Sequence, residues 1–134
     1  MDFSGRTYTY ANGRRKTSVA QVRLYEQGTG QVIVNGKELK EAIRDKYLFD
    51  VILFPLKLAG ALKKFDFSIR VVGGGKSGQA DACRFGIARA MFNLDEALKP
   101  MLKAEGLLSR DSRIVERKKP GKKKARRSSQ WAKR

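Results

Sequence analysis

Asp66 to Phe92, DFSIRVVGGGKSGQADACRFGIARAMF, decides the fold. Its first residues alternate, with Phe67, Ile69 and Val71 on one side and Ser68 and Arg70 on the other, the period-two pattern of a half-buried strand. Gly73-Gly74-Gly75-Lys76 interrupts the chain, and beyond it Ala80, Cys83, Ile87 and Met91 recur at helical spacing. The sequence therefore predicts a helix capped by Ser77 and running to about Phe92.

Upstream, Thr17 to Tyr25 alternates in the same way, with Ala20, Val22 and Leu24 on one side and Gln21 and Arg23 on the other. A partner strand is expected around Arg6 to Ala11, joined by a turn, Asn12-Gly13-Arg14-Arg15-Lys16, whose tip presents three cations. Gly28-Thr29-Gly30 turns into a short strand, Gln31 to Val34, which Asn35-Gly36 ends, so the first three strands read as a meander. Lys37 to Asp50 changes to helical spacing through Leu39, Ile43 and Tyr47, and Pro55 and Gly60 are expected to break the next stretch into short helical pieces. A last helix is expected around Asp95 to Glu105, disturbed by Pro100 and stopped by Gly106.

This order predicts an α+β fold: one small domain over residues 1–109, with a mostly antiparallel or mixed four-stranded sheet packed on helices. Beyond Ser109 no apolar periodicity survives. Residues 110–134 read as a long extended basic C-terminal tail. Its last eighteen residues carry Arg117, Lys118, Lys119, Lys122, Lys123, Lys124, Arg126, Arg127, Lys133 and Arg134 and no acidic residue. So much like charge and so little apolar surface cannot bury itself, and the segment should stay extended until it meets a polyanion.

The whole chain has a net charge of +17 in 134 residues, so the part before the tail is basic as well. The single cysteine and the absence of histidine remove most zinc chemistry and every nucleophile device that needs an imidazole. Cys83, on the apolar stripe, reads as a small core residue. The residues before Gly5 show neither a charged leader nor an apolar core, so no secretory or transit peptide is expected. Tyr47 to Leu62, the most apolar stretch, is interrupted by Asp50, Pro55 and Lys57 and falls short of the roughly 20 apolar residues of a membrane span.

Gly73-x-Gly75-x-x-Gly78 matches the dinucleotide fingerprint in form, but Asp95 and Glu96 open another helix where a second parallel strand with a terminal acid would be needed. Arg70 stands where a Walker loop would have its first glycine. Two readings remain for this loop: a tight connection that needs small residues, and a helix start with Lys76 that receives a phosphate. Arg14, Arg15 and Lys16 read as a phosphate-contacting cluster held on a hairpin rather than a merely solvated surface group. Trp131 could stack on a base or a ribose near the end of the tail.

Several stretches closely resemble the bacterial-type ninth protein of the small ribosomal subunit. They are Gly13-Arg14-Arg15-Lys16-Thr17, Val34-Asn35-Gly36-Lys37, Gly73-Gly74-Gly75 with Ser77-Gly78-Gln79, Gly86-Ile87-Ala88-Arg89-Ala90 and Gly106-Leu107-Leu108-x-Arg110-Asp111. Val115-Glu116-Arg117-Lys118-Lys119, Lys123-Lys124-Ala125-Arg126-Arg127 and Lys133-Arg134 extend the likeness. The resemblance implies a left-handed strand-helix-strand crossover and a body docked on the head of the small subunit against 16S-type rRNA and neighbouring head proteins. It also implies a tail threading through rRNA, with Trp131, Lys133 and Arg134 reaching the anticodon stem-loop of peptidyl-site tRNA. The role so implied is structural, without catalysis, cofactor or membrane, and the setting is a cytoplasmic or organellar ribosome.

RNA contacts are accordingly expected at Arg14, Arg15, Lys16, Lys76, Arg110 and Arg113 in the body and tail root. In the tail they are expected at Arg117, Lys118, Lys119, Lys122, Lys123, Lys124, Arg126 and Arg127. A free architectural nucleic-acid-binding protein is the alternative, and it would bind duplex DNA and self-associate.

Overall fold

Strand β1, Thr9–Arg15, and strand β2, Ser18–Tyr25, form an antiparallel hairpin in the computed structural model, which describes residues 3 and 5–133. Asn12, Gly13, Arg14 and Arg15 pair with Gln21, Ala20, Val19 and Ser18, so they are strand and not turn. The connection is only Lys16-Thr17, with Lys16 at φ 52°. Strand β3, Val32–Val34, leads through Asn35-Gly36 into a two-residue strand β4, Lys37–Glu38. Asn35 and Gly36 both have positive φ, 50° and 80°, the pairing that suits a two-residue hairpin loop. The chain therefore reverses here instead of entering a helix, and the sheet has five strands rather than four.

The sheet order is β1-β2-β5-β3-β4, where β5 is Asp66–Val72. The first three strands are thus no meander, because β5 lies between β2 and β3. It runs antiparallel to β2 and parallel to β3, so the sheet is mixed. A buried carboxylate holds this exchange of neighbours in place. Asp66 Oδ1 accepts the backbone N–H groups of Thr29, Gly30 and Gln31 at 2.8, 3.1 and 3.0 Å, and Oδ2 accepts from Arg6 at 3.1 Å. Desolvation pushes this carboxyl's pKa up, but the donors from Gln31, Thr29, Arg6 and Gly30 together outweigh it and hold the group ionised below its usual value. At the other end of β3, Asn35 Oδ1 accepts from Val71 N at 2.9 Å and its Nδ2 donates to Val71 O at 3.0 Å, continuing the parallel ladder with a side chain.

Replacing Asp66 with alanine is expected to lower stability by about 3 kcal/mol, because three backbone donors and a guanidinium lose one buried acceptor. Its depressed pKa gives stability that is present above the unfolded value near 4 and lost as the pH falls through the folded one. Urea midpoints measured at pH 7 and in acid check this: the variant and the parent should converge in acid, and an unchanged midpoint at pH 7 refutes the assignment.

Between β3 and β5 the chain forms α1, Leu39–Ala42, and α2, Lys46–Leu58. Asp45 caps α2 by accepting from Tyr47 N, which stops one continuous helix from forming and leaves Tyr47 73% exposed rather than on the core face. Pro55 lies inside α2 and is buried, so it does not break the helix; Gly60, at φ 61°, lies just past its end. Helix α3, Lys76–Leu94, begins after Gly75 with no side-chain cap, so Ser77 is its second residue and not its cap. Helix α4, Lys99–Ala104, comes after a short 3-10 turn, Glu96–Leu98, and Pro100 sits in its first turn, where a missing N–H costs nothing.

Ala80, Cys83, Ile87 and Met91 are all fully buried as the stripe predicted, and Phe67, Ile69 and Val71 face them from the sheet. Burial pushes the Cys83 thiol up to about 12, so it stays an unreactive core group. Yet α3 is buried on more than one side. Ala88 belongs to a second cluster with Leu102 and Leu107, against which Phe54, Leu58 and Phe92 pack. The helix can lie so close to β1 because two glycines meet there. A Cβ on Gly86 would come 2.5 Å from Val22 Cγ2 and 3.2 Å from Gly13 N, and one on Gly13 would strike the Ala82 carbonyl. Gly13 is therefore a helix-packing position inside β1 and not a turn residue.

Candidate nucleic-acid interface

The expected cationic cluster divides. Arg14 and Lys16 are exposed, on β1 and in the two-residue turn. Arg15 is instead held inside the protein, its side chain only 11% exposed. Its Nη2 lies 3.0 Å from Asp111 Oδ2, its Nη1 donates to the Arg113 carbonyl at 3.0 Å, and its Nε is 3.6 Å from Asp81. Strand alternation explains the difference, since it sends consecutive side chains to opposite faces of β1 and turns Arg15 toward α3.

Asp111 is the centre of this tie. Arg113 donates to it from Nε and Nη2, the latter at 2.7 Å, and from its backbone N at 2.9 Å. The Arg113 side chain first, then its backbone N–H and charge, then the Arg15 charge, hold the Asp111 carboxyl well below the usual carboxylate range. The last residues to leave the body are thus fastened to the β1–β2 hairpin, two to four positions beyond the boundary at 109 that the sequence suggested.

Because the folded pKa is depressed, the tie is at full strength above the unfolded value near 4 and is lost as the pH falls through the folded one. Asp111→Asn is expected to free the tail root at neutral pH, seen as faster cleavage after Arg113 in limited trypsin digestion. Equal cleavage of variant and parent would refute the tie.

Beyond Ala104 no helix or strand occurs among the described residues; the one pairing is an isolated antiparallel bridge between Lys122 and Ser128. Residues 112–133 are exposed apart from a half-buried Ala125, and Trp131 is 83% exposed. The segment is not uniformly extended, however. Glu116, just before the acid-free run, holds Lys119 at 2.7 Å and Arg126 at 2.9 Å, and Lys123 N donates to Arg127 O at 2.6 Å, closing a loop over 116–128. Exposed pairs of this kind are each worth about 0–1 kcal/mol, too little to compete with a run of phosphates.

Lys118, Lys123, Lys124, Arg127 and Lys133 make no ion pair among the described residues; Arg117 donates to the Lys118 carbonyl and Lys122 to Ser128 Oγ. Arg110 is exposed, and Arg134 lies outside the described residues.

The glycine loop serves packing. A Cβ on Gly78 would come 2.9 Å from Ser18 Oγ, and Ser18 Oγ itself donates to the Gly73 carbonyl at 3.0 Å, so the loop is pressed onto the start of β2. Gln79 Nε2 donates to the same carbonyl at 3.0 Å, while Lys76 stands exposed beside it. Among the described residues no group of three or more metal-binding side chains converges, and no helix is long and apolar enough to cross a membrane.

A family model described as ribosomal protein S9/S16 matches residues 13–134, which takes in the hairpin from Gly13 onward, the glycine loop and the whole tail. Over 133 residues, 99% of this chain and 97% of the relative, the sequence is 50% identical to the small ribosomal subunit protein uS9 of Borrelia turicatae (strain 91E135). With nearly all of the α+β body, the fastened tail root and the exposed basic segment falling inside the matched region, the chain belongs to the ribosomal protein S9/S16 family, whose members are structural and not enzymatic.

Proposed function

We propose that this chain is a constituent of the small ribosomal subunit whose body binds 16S-type rRNA in the subunit head, beside neighbouring head proteins, and whose tail runs toward the anticodon stem-loop of peptidyl-site tRNA. The observation that carries this reading is the exposed cationic segment 117–133, on a chain 50% identical to a small-subunit protein. Body and tail divide at about residue 109, and the β3–β5 crossover is left-handed in this reading. Its place is a ribosome, cytoplasmic or organellar.

Arg14, Lys16 and Lys76 contact rRNA phosphates from the body. Lys16 supports this by its place: it stands exposed at the tip of the two-residue turn next to Arg14, its positive φ being what such a turn requires. Arg15 aims the tail by holding Asp111 and the Arg113 carbonyl. Arg110, Arg113, Arg117, Lys118, Lys119, Lys122, Lys123, Lys124, Arg126 and Arg127 neutralise the rRNA along the tail's path. Trp131, Lys133 and Arg134 reach the tRNA backbone. Such contacts go to phosphate and ribose and carry no sequence information, so they serve every tRNA alike.

Sedimentation of the native protein through a high-salt gradient tests the reading. Co-migration with small subunits is expected, and a free or DNA-bound pool would overturn it.

A further inference from the structure

We propose that the helix-free face of the sheet is a second RNA contact, one that takes an unpaired strand; this rests on the rRNA-binding reading and names a surface for it. The helices that touch the sheet cover the face that carries Ala20, Val22, Phe67, Ile69 and Val71. The opposite face of β1, β2 and β5 carries Arg14, Arg23 and Arg70, and Asp66 is the one acidic residue in these three strands. Asp66 is spent on Arg6 and three backbone N–H groups at the sheet's end, where Phe3 stacks on Tyr25 at 4.5 Å. The rest of the face on these three strands is uncovered and also carries Asn12, Val19, Gln21, Ser68 and Val72, so every charge left on it there is positive. The nearest acid on this side is Glu38, opposite Ile33 at the far β4 edge. Acidic residues such as Glu41, Asp50, Asp81 and Glu105 lie elsewhere in the chain, so this segregation is not a shortage of carboxylates.

The register places aromatic groups beside the guanidinium groups. Tyr10 is opposite Arg23, and Gln21 is opposite Arg70, which puts the two arginines on adjacent strands as diagonal neighbours about 7–8 Å apart at Cα. The Arg23 guanidinium lies over the Tyr8 ring at 5.1 Å, and Tyr8 and Tyr10 are 51% and 45% exposed. Flat rings at one edge with fixed cations between them fit bases that can stack and phosphates that can be paired, which needs a strand whose bases are unstacked. The centre of the face is Gln21, Ser68 and Arg70, too polar for the apolar core of a protein interface.

The test uses the full chain, labelled with nitrogen-15 and titrated with a mixed-sequence 12-nucleotide single-stranded RNA and, separately, a 12-base-pair RNA duplex. The single strand is expected to move the amide signals of Tyr8, Arg23, Ser68 and Arg70 as well as those of the tail. Arg23→Gln with Arg70→Gln should weaken this site-specific response by about tenfold in half-saturating RNA, and Tyr10→Leu by about fivefold, consistent with one lost base stack. Shifts confined to residues 113–133, an equal face response to the duplex, or an unchanged titration of the double variant would each overturn the proposal. Gradient sedimentation of the parent chain separates this from the ribosomal reading: a parent that co-migrates with small subunits while the sheet face stays silent defeats only the sheet contact.

Discussion

Deleting residues 117–134 is expected to leave the body folded and to reduce its affinity for small-subunit rRNA by on the order of a thousandfold at low salt. Folding should survive because, among the described residues, the buried ones end at Leu107 and the Arg15 tie reaches no further along the chain than Arg113, so all of them remain. The affinity loss comes from counterion release. If about six of the deleted cations meet phosphates, the slope of log affinity against log salt should fall by roughly 4–5 on deletion. The intact chain should lose about a thousandfold in affinity between 50 and 200 mM salt, and the truncated chain far less. Filter binding across that range checks it, and equal slopes for the two chains would show that the tail does not touch RNA. A shorter truncation, lacking 128–134, should still enter subunits yet retain peptidyl-site tRNA less well. Equal retention would remove the terminal contact proposed for Trp131, Lys133 and Arg134.

The largest effect on stability is expected at a position with no charge at all. Gly86→Val should cost about 3 kcal/mol or more, because the new side chain must displace Val22 and the Gly13 backbone from the seam where α3 lies on β1. For a body of this size that is a fall of roughly 12–20 °C in melting temperature. Gly75→Ala is the control: a Cβ there meets nothing within 4 Å, and its melting temperature should stay within a few degrees. If the two variants melt together, α3 has room to move and the close approach is not a constraint. Loss of the body should also lower incorporation into subunits, because an unfolded chain cannot present Arg14, Lys16 and Lys76 in fixed positions.

Strand β2, strand β5 and the core stripe of α3 are legible in the sequence because their burial is periodic and local: each strand has one wet face, and each apolar residue reports its own side. Features that no local pattern announces are decided by partners distant in sequence. The place of β5 between β2 and β3 depends on Asp66 gathering residues 29–31, and neither segment alone contains that information. Pro55 reads locally as a breaker, yet tertiary burial retains a helix that has lost one backbone bond. Gly13 resembles a turn glycine, and only the approach of Gly86 shows why a side chain is excluded there.

The site divides along similar lines. The tail's charge is a property of composition and is visible at once. Arg15 falls in with its neighbours because three adjacent cations look alike, although alternation already assigns it to the other face of β1. Its partners Asp81 and Asp111 are 66 and 96 positions away in the chain, beyond what any local pattern can indicate. The loop held by Glu116 escapes a charge count for a simpler reason: the acid falls one residue before the acid-free run and so lies outside it.

On the proposed reading, the Arg15–Asp111 tie would also set how fast the tail finds its RNA. A flexible polycation joined at an unfixed root searches every direction around the body, whereas one fastened at residues 111–113 starts from a single point with a defined heading. Once the body has docked, the second encounter is intramolecular, with an effective concentration in the millimolar range for a short tether and highest when reach matches the gap to be crossed. The hairpin would thus help determine the kinetics of the tail contact proposed above without taking part in it.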